Sequence, residues 1–350
     1  MARVAVDAMG GDFAPRAPVA GALLALAELP AEHTIELVGR TDVIQGALDE
    51  LLGGEFASYA TQRARLHVVE ALDVVTMSDK PTSVIRGKRE SSMVVGLRRQ
   101  AEGHADAFVS AGNTGAQMAA SWFILKLHEG VTRPAIGTIL PTTNEPLVML
   151  DSGANVDCSA EELVQFARLG AVYAEDVLGR PEPTVGLLSI GEEPEKGNAV
   201  VIEAHQALRA ESGFTFLGNV EGRDIPTGQC DRGPIDVVVC DGFVGNVVLK
   251  FYEALAPTLM GVFARALGAE RETLAQAFKK LDYSEYGGAP LLGVKGVSII
   301  SHGKSTPRAI MNAIKVAVRM VDARMSDHVG RRLAEAAVPP APTPAGASPV

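Results

Sequence analysis

Residues 184–205 read TVGLLSIGEEPEKGNAVVIEAH. The apolar run Val185 to Ile190 is written like a buried strand. A polar turn, Gly191 to Asn198, follows it, and then Val200, Val201, Ala204 and Leu208 recur at helical spacing. In open α/β sheets, ligands gather at the carboxyl ends of strands. A helix start at that edge offers unpaired N–H groups and the positive end of a dipole, which suits an anion. Lys196 adds a mobile cation to the turn. A plain strand-to-helix loop with solvated charges would carry the same letters, so the rest of the chain has to decide.

The same grammar repeats on both sides. Arg3 to Met9 reads as a strand ending in Asp7-Ala8-Met9-Gly10-Gly11-Asp12, where paired glycines permit a tight turn close to a ligand. Asp7 and Asp12 are placed to order that turn or to accept hydrogen bonds from a substrate. Asp106 to Ser110 runs into Gly112-Asn113-Thr114-Gly115 and a helix reaching Leu127. Arg133 to Leu140 and Pro146 to Leu150 are apolar strands, the second ending at Asp151-Ser152-Gly153-Ala154-Asn155. Asp236 to Cys240 runs into Asp241-Gly242-Phe243-Val244-Gly245-Asn246, with a helix from Val247. Val297 to Ile300 leads to His302-Gly303-Lys304-Ser305 and a last helix. Strands alternating with helices predict an α/β fold: a mostly parallel, Rossmann-like sheet with helices on both faces. One α/β unit is expected over residues 1–330, with a helical hairpin at about 250–282 and a disordered Pro- and Ala-rich tail over 331–350.

The formal charge of −10 argues against a nucleic-acid footprint, and anionic ligands would need local donors. Cys158, Cys230 and Cys240 show no metal spacing and fit a reducing, cytoplasmic setting. No signal peptide is expected, because Asp7 and Asp12 interrupt any apolar amino-terminal run, and no run of 18 apolar residues predicts a membrane span. Against the acidic background, Lys80, Arg86, Lys88, Arg89, Arg98 and Arg99 form a basic cluster, which favours an acidic partner. In the hairpin, Leu259, Met260, Val262, Phe263 and Leu267 crowd the tip; a core or dimer contact comes first, and an interfacial membrane contact second.

Four Gly-Asn pairs, at 112, 197, 218 and 245, each follow an expected strand, where composition alone gives about 0.7. Together with Asn155 they point to a pocket of amide donors, suited to a phosphate and a carbonyl oxygen. Gly303-Lys304-Ser305 invites a phosphate-loop reading, but that motif needs glycine at 298, where the chain has Ser298. No GxGxxG, HExxH, GxSxG or Cys/His nucleophile pair is present, so neither a metal, a cofactor nor an enzyme nucleophile is expected.

Seven stretches, VAVDAMGGDFAP, SAGNTGA, LDSGAN, LLSIGEEPEKGN, GNVEGRDI, DGFVGN and SHGKS, occur in this order. Over about residues 2–328 the chain resembles the bacterial PlsX family of acyl-carrier-protein:phosphate acyltransferases. The resemblance implies transfer of a fatty acyl group from acyl carrier protein to inorganic phosphate, with acyl phosphate passing to the membrane glycerol-3-phosphate acyltransferase. It implies a fold similar to phosphotransacetylase and to isocitrate and isopropylmalate dehydrogenases. It also implies a homodimer that touches the membrane peripherally through the hairpin. Phosphate is itself the nucleophile, so the enzyme must position it and stabilise an oxyanion. Lys196, Asn246 and His302 are the expected catalytic groups. Asp7, Gly10, Gly11, Asp12, Gly112, Asn113, Thr114, Asn155, Gly197, Asn198, Gly245 and Lys304 are the expected phosphate and substrate contacts. His302 and Lys304 are also candidates for protonating the leaving thiolate. The carrier protein is assigned to Arg86, Lys88, Arg89, Arg98 and Arg99, with the last helix (Arg308, Lys315, Arg319) as the other candidate. Coenzyme A thioesters are the alternative acyl donor.

Overall fold

The computed structural model describes residues 1–267 and 286–336. In chain order the elements are β1 (Arg3–Asp7), α1 (Arg16–Glu28), β2 (Thr34–Gly39), α2 (Thr41–Leu52), β3 (Leu66–Glu70), α3 (Pro81–Gly87), α4 (Ser92–Ala101), β4 (Ala107–Ser110) and α5 (Thr114–Leu125). Then come β5 (Ala135–Ile136), β6 (Thr138–Leu140), β7 (Leu147–Leu150), α6 (Ala160–Asp176), β8 (Thr184–Ser189), α7 (Ala199–Leu208) and β9 (Thr215–Glu221). The remainder is β10 (Gln229–Cys230), β11 (Gly233–Pro234), β12 (Val237–Val239), α8 (Gly242–Leu267), β13 (Ala289–Leu292), β14 (Ser298–Ile300), α9 (Pro307–Asp322) and α10 (Met325–Ala336).

The α/β class is as expected, but the strands form two main sheets rather than one. One has seven strands in the order β3-β2-β1-β4-β14-β13-β5, and the other has five in the order β6-β7-β12-β8-β9. Pairing is parallel from β3 through to β14 and from β7 through to β9; β13 and β6 run antiparallel to their neighbours. The stretch expected as one strand, Arg133 to Leu140, passes from sheet to sheet. Its Ala135 and Ile136 pair with β13, and its Thr138 to Leu140 pair with β7. At the crossing, Gly137 donates its N–H to the carbonyl of Pro290.

Alternation along the strands sorts the core. Val4 and Val6 of β1 join the cluster that contains α1 and α9, while Ala5 faces α4 on the other side with Phe108. Val148, Leu150, Val237 and Val239 of the second sheet join the first cluster too, so one apolar core connects both sheets through α6. The start of α6 is fixed by a capping box, in which Ser159 Oγ accepts from Glu162 N–H and Glu162 returns a carboxylate to Ser159 N–H.

Two boundaries differ from expectation. Residues 331–336, expected in the tail, complete α10, whose Val329 and Leu333 are buried in the core. The hairpin's first arm begins earlier than expected, as the 26-residue α8; its second arm lies outside the described residues. By length and composition α8 is, among the described residues, the one helix able to cross a membrane. Its amino-terminal turns are nonetheless built into a cleft, as follows.

Candidate active site

Three loops meet at the carboxyl edge of the seven-stranded sheet, because β1, β4 and β14 are neighbours there. Asp7 is buried, and its carboxylate accepts from Met9 N–H and from Ser110 Oγ at 2.7 Å. Burial raises its pKa, opposed by these hydrogen bonds and by those from Ser92 and Gly10. Asp12 N–H donates to Gly303 C=O at 2.7 Å, which ties the first loop to the His302 loop. A Cβ on Gly10 would lie 2.9 Å from Gly112 N, so those two glycines serve the packing of loop on loop.

The second sheet contributes the loop Asp151–Asn155 and the start of α8. The buried Asp151 carboxylate accepts from Ile136, Gly153, Ala154 and Asn155 N–H and from Asn155 Nδ2. Burial raises its pKa and those donors pull it back. Gly245 comes so close to this loop that a Cβ would sit 1.9 Å from Asp151 C=O. Asp241 Oδ1 accepts from Val244 N–H and fixes the first turn of α8.

Between the two sheets lies a cavity of about 200 Å³. Thr114 and His302 line it from the first sheet, Ser152 and Gly153 from the second, and Ile136 and Thr138 from the crossing strand. Helix α8 adds Asn246, Leu249, Lys250 and Glu253. His302 Nδ1 accepts from Lys304 N–H at 3.1 Å. The neutral ring therefore carries its proton on Nε2 and is a donor rather than a base. Sequence reasoning missed Lys250 and Glu253. The signal was present: positions 246, 250 and 253 are four and seven residues along one helix face.

A second cavity, of about 700 Å³, is lined by Leu163, Leu188, Ile190, Gly197, Asn198, Val200 and Val201, with Val244 of the same helix and Asp241 just before it. Gly197 has φ +109°, and a Cβ there would press within 2.7 Å of Val201. Burial pushes the Cys158 thiol in this wall up to about 12. Lys196 is exposed on the loop just before this wall and is among the lining residues of neither cavity.

The expected pocket of asparagine donors does not form. Asn113 Oδ1 caps α5 and its amide donates to the carbonyls of Thr76, Met77 and Asp79. The Asn155 amide donates to Pro134 C=O and Asp151. Asn219 sits inside β9 rather than after a strand, and it is buried between His205 and Glu193 C=O. Asn198 Oδ1 caps α7. Backbone groups at strand ends take these side chains first, and Asn246 is the one of the five that reaches the first cavity. The basic cluster is also partly internal. Lys88 pairs with Asp79 at 2.6 Å, and Arg99 grips Glu36 with two bonds, one of 2.6 Å from Nη2. Arg98 lies 3.9 Å from Glu90, while Arg86 and Arg89 are exposed.

A family model described as "Fatty acid synthesis protein" matches residues 2–328. The phosphate acyltransferase of Desulforamulus reducens is 49% identical over 331 residues, covering 92% of this chain and 94% of that protein. The chain belongs to the PlsX, or phosphate acyltransferase, family. The phosphate acyltransferase of Thermosynechococcus vestitus is 45% identical over 340 residues, with 94% of each chain covered. Membership makes this chain an acyltransferase enzyme. Among solved structures, a phosphotransacetylase from Streptococcus pyogenes superimposes with TM-score 0.61 at 16% identity, covering 92% of this chain and 94% of that one. A branched-chain phosphotransacylase from Enterococcus faecalis gives 0.58 at 14%, covering 92% and 99%. At such identity the likeness is one of fold alone.

Proposed function

We propose that this chain transfers a long-chain fatty acyl group from acyl carrier protein to inorganic phosphate, by direct attack of phosphate on the thioester. The observation that carries it is the convergence of Lys250, Asn246, His302 and Thr114 on one cavity between the sheets. Lys250 supplies charge for phosphate. Asn246 and the Nε2–H of His302 are donors for the oxyanion and the departing thiolate. Serine and threonine hydroxyls also line this cavity, but His302 has its base nitrogen occupied, so phosphate remains the better nucleophile. Lys196 is assigned to drawing phosphate in from its exposed loop. Asp7, Gly10, Gly11, Asp12, Gly112 and Gly245 hold the loops, and Lys304 holds the His302 ring through its backbone. The apolar wall of the larger cavity offers room for the acyl chain.

The product feeds phospholipid synthesis through a membrane acyltransferase. The enzyme acts as a cytoplasmic homodimer that touches the bilayer through the outer half of α8, where Val262 and Phe263 are exposed and Leu259 and Met260 half-buried. The deciding assay is release of free carrier-protein thiol from purified acyl-acyl-carrier-protein with and without phosphate. Release that ignores phosphate sinks the proposal. The phosphotransacetylase-like fold favours coenzyme A thioesters as the second reading, and running both donors side by side separates the two.

A further inference from the structure

The polar groups around the smaller cavity differ in whether a ligand reaches them. Thr138 and Ser301 are 7% and 5% exposed, both line the cavity, and their hydroxyl oxygens have no hydrogen-bond partner. Buried polar groups are normally paired, and leaving one unpaired costs free energy. Both oxygens are shut off from the open space, so these hydroxyls belong to the wall behind the cavity, and the groups a ligand meets there are the charged ones.

The charged lining is of mixed sign. Lys250 Nζ bonds both oxygens of Glu253, at 3.0 and 2.8 Å, and both residues line the cavity. A carboxylate is an odd wall for an anion site if its only task is to attract negative charge. It repels an anion that has no proton. It accepts a hydrogen bond from an anion that has one. Near neutral pH phosphate keeps a P–OH group and sulfate does not. Lysine and hydroxyl donors alone would hold both ions.

Resting on the assignment of this cavity to phosphate, we propose that Glu253 is its specificity-determining residue. It accepts the P–OH hydrogen while Lys250 donates to the remaining oxygens, so the site takes protonated phosphate and rejects sulfate. Binding replaces the direct Lys250–Glu253 contact with two contacts to the ion, and no charge is left alone in the cavity. A site built around one hydrogen bond discriminates strongly against a ligand lacking it, because a buried group is then left unpaired.

The test is anion binding and inhibition with the full-length protein. Calorimetric titration with inorganic phosphate and with sulfate, in the absence of acyl donor, should show phosphate binding at least about tenfold tighter. Thiol release from the acyl carrier protein should have a phosphate KM that sulfate hardly changes. Glu253→Gln should raise that KM about tenfold and make sulfate a competitive inhibitor, with Glu253→Asp restoring part of the discrimination. Lys250→Met should weaken both ions together. Equal binding of sulfate and phosphate by the unaltered protein overturns the proposal without any variant being made. So does a Glu253→Gln protein of unchanged melting temperature and unchanged anion preference. Phosphate-dependent turnover together with normal phosphate binding in the Lys250→Met protein would leave the acyl transfer standing and remove phosphate from this cavity. Thiol release independent of phosphate would instead remove the acyl-transfer assignment itself.

Discussion

Two lysines compete for the role of phosphate cation. Lys250 lines the cavity with Asn246 and His302; Lys196 is exposed on the loop after β8. Losing a donor aimed at a developing oxyanion costs roughly 2.7–4 kcal/mol, or about a hundred- to thousandfold in rate. Lys250→Ala is expected in that range, with Lys196→Ala losing less, both read as kcat/KM for phosphate. The reverse ranking would move the phosphate to the Gly197–Asn198 loop. Cys158 gives a second residue-scale test. Burial pushes its thiol up to about 12, so Cys158 stays a thiol at pH 8. Cys158→Ala should keep transfer within a few-fold, and iodoacetamide at pH 8 should inactivate slowly; rapid inactivation protected by acyl donor would argue for a covalent intermediate. At this scale the sequence was half legible. His302 and Asn246 stand out because each follows an apolar run and precedes an expected helix. Lys250 and Glu253 read instead as an ordinary solvated i,i+3 pair, since periodicity tells which residues share a face but not what that face meets.

Helix α8 does two jobs along its length. Its first turns sit on the Asp151 loop through Gly242 and Gly245, and its exposed Phe243, Val247 and Phe251 lie on the same half. Its outer half carries Val262 and Phe263, 46% and 39% exposed. Replacing both with aspartate is therefore expected to abolish co-sedimentation with anionic liposomes while soluble turnover and dimer mass stay as they are. A monomeric or unfolded double variant would place these residues in an interface between copies instead. The sequence shows this helix as apolar and protruding, but Gly242–Asn246 looks like a loop of small residues and hides its start. The strand around Gly137 was misread for a related reason. A chain crossing between sheets is as apolar as one that stays in its sheet, and only the pairing partners reveal the switch.

At the scale of the molecule, the question is how a chain of net charge −10 would receive the acidic carrier protein proposed as its acyl donor. The long-range field repels it, so productive encounters depend on a local patch. Lys88 and Arg99 are poor parts of that patch, since Asp79 and Glu36 already hold them; Arg99→Glu would push a carboxylate against Glu36 and test folding instead of docking. Arg86, Arg89 and Arg98 are the exposed or loosely paired members. At an ionic strength of 0.1 M charges are screened beyond about 10 Å, so added salt weakens the distant repulsion and the close attraction alike. With the patch intact, attraction at contact should dominate, and kcat/KM for acyl-acyl-carrier-protein should fall as salt rises. With Arg86, Arg89 and Arg98 all changed to glutamate, only repulsion remains. The value should drop about tenfold at low salt and then climb as salt is added. Turnover at saturating donor should be unchanged, and so should the phosphate KM, because none of the three lines the cavity. A salt slope of the same sign and size in the triple variant would exclude this face and direct the search to Arg308, Lys315 and Arg319 on α9, where Lys315 already pairs with Glu28.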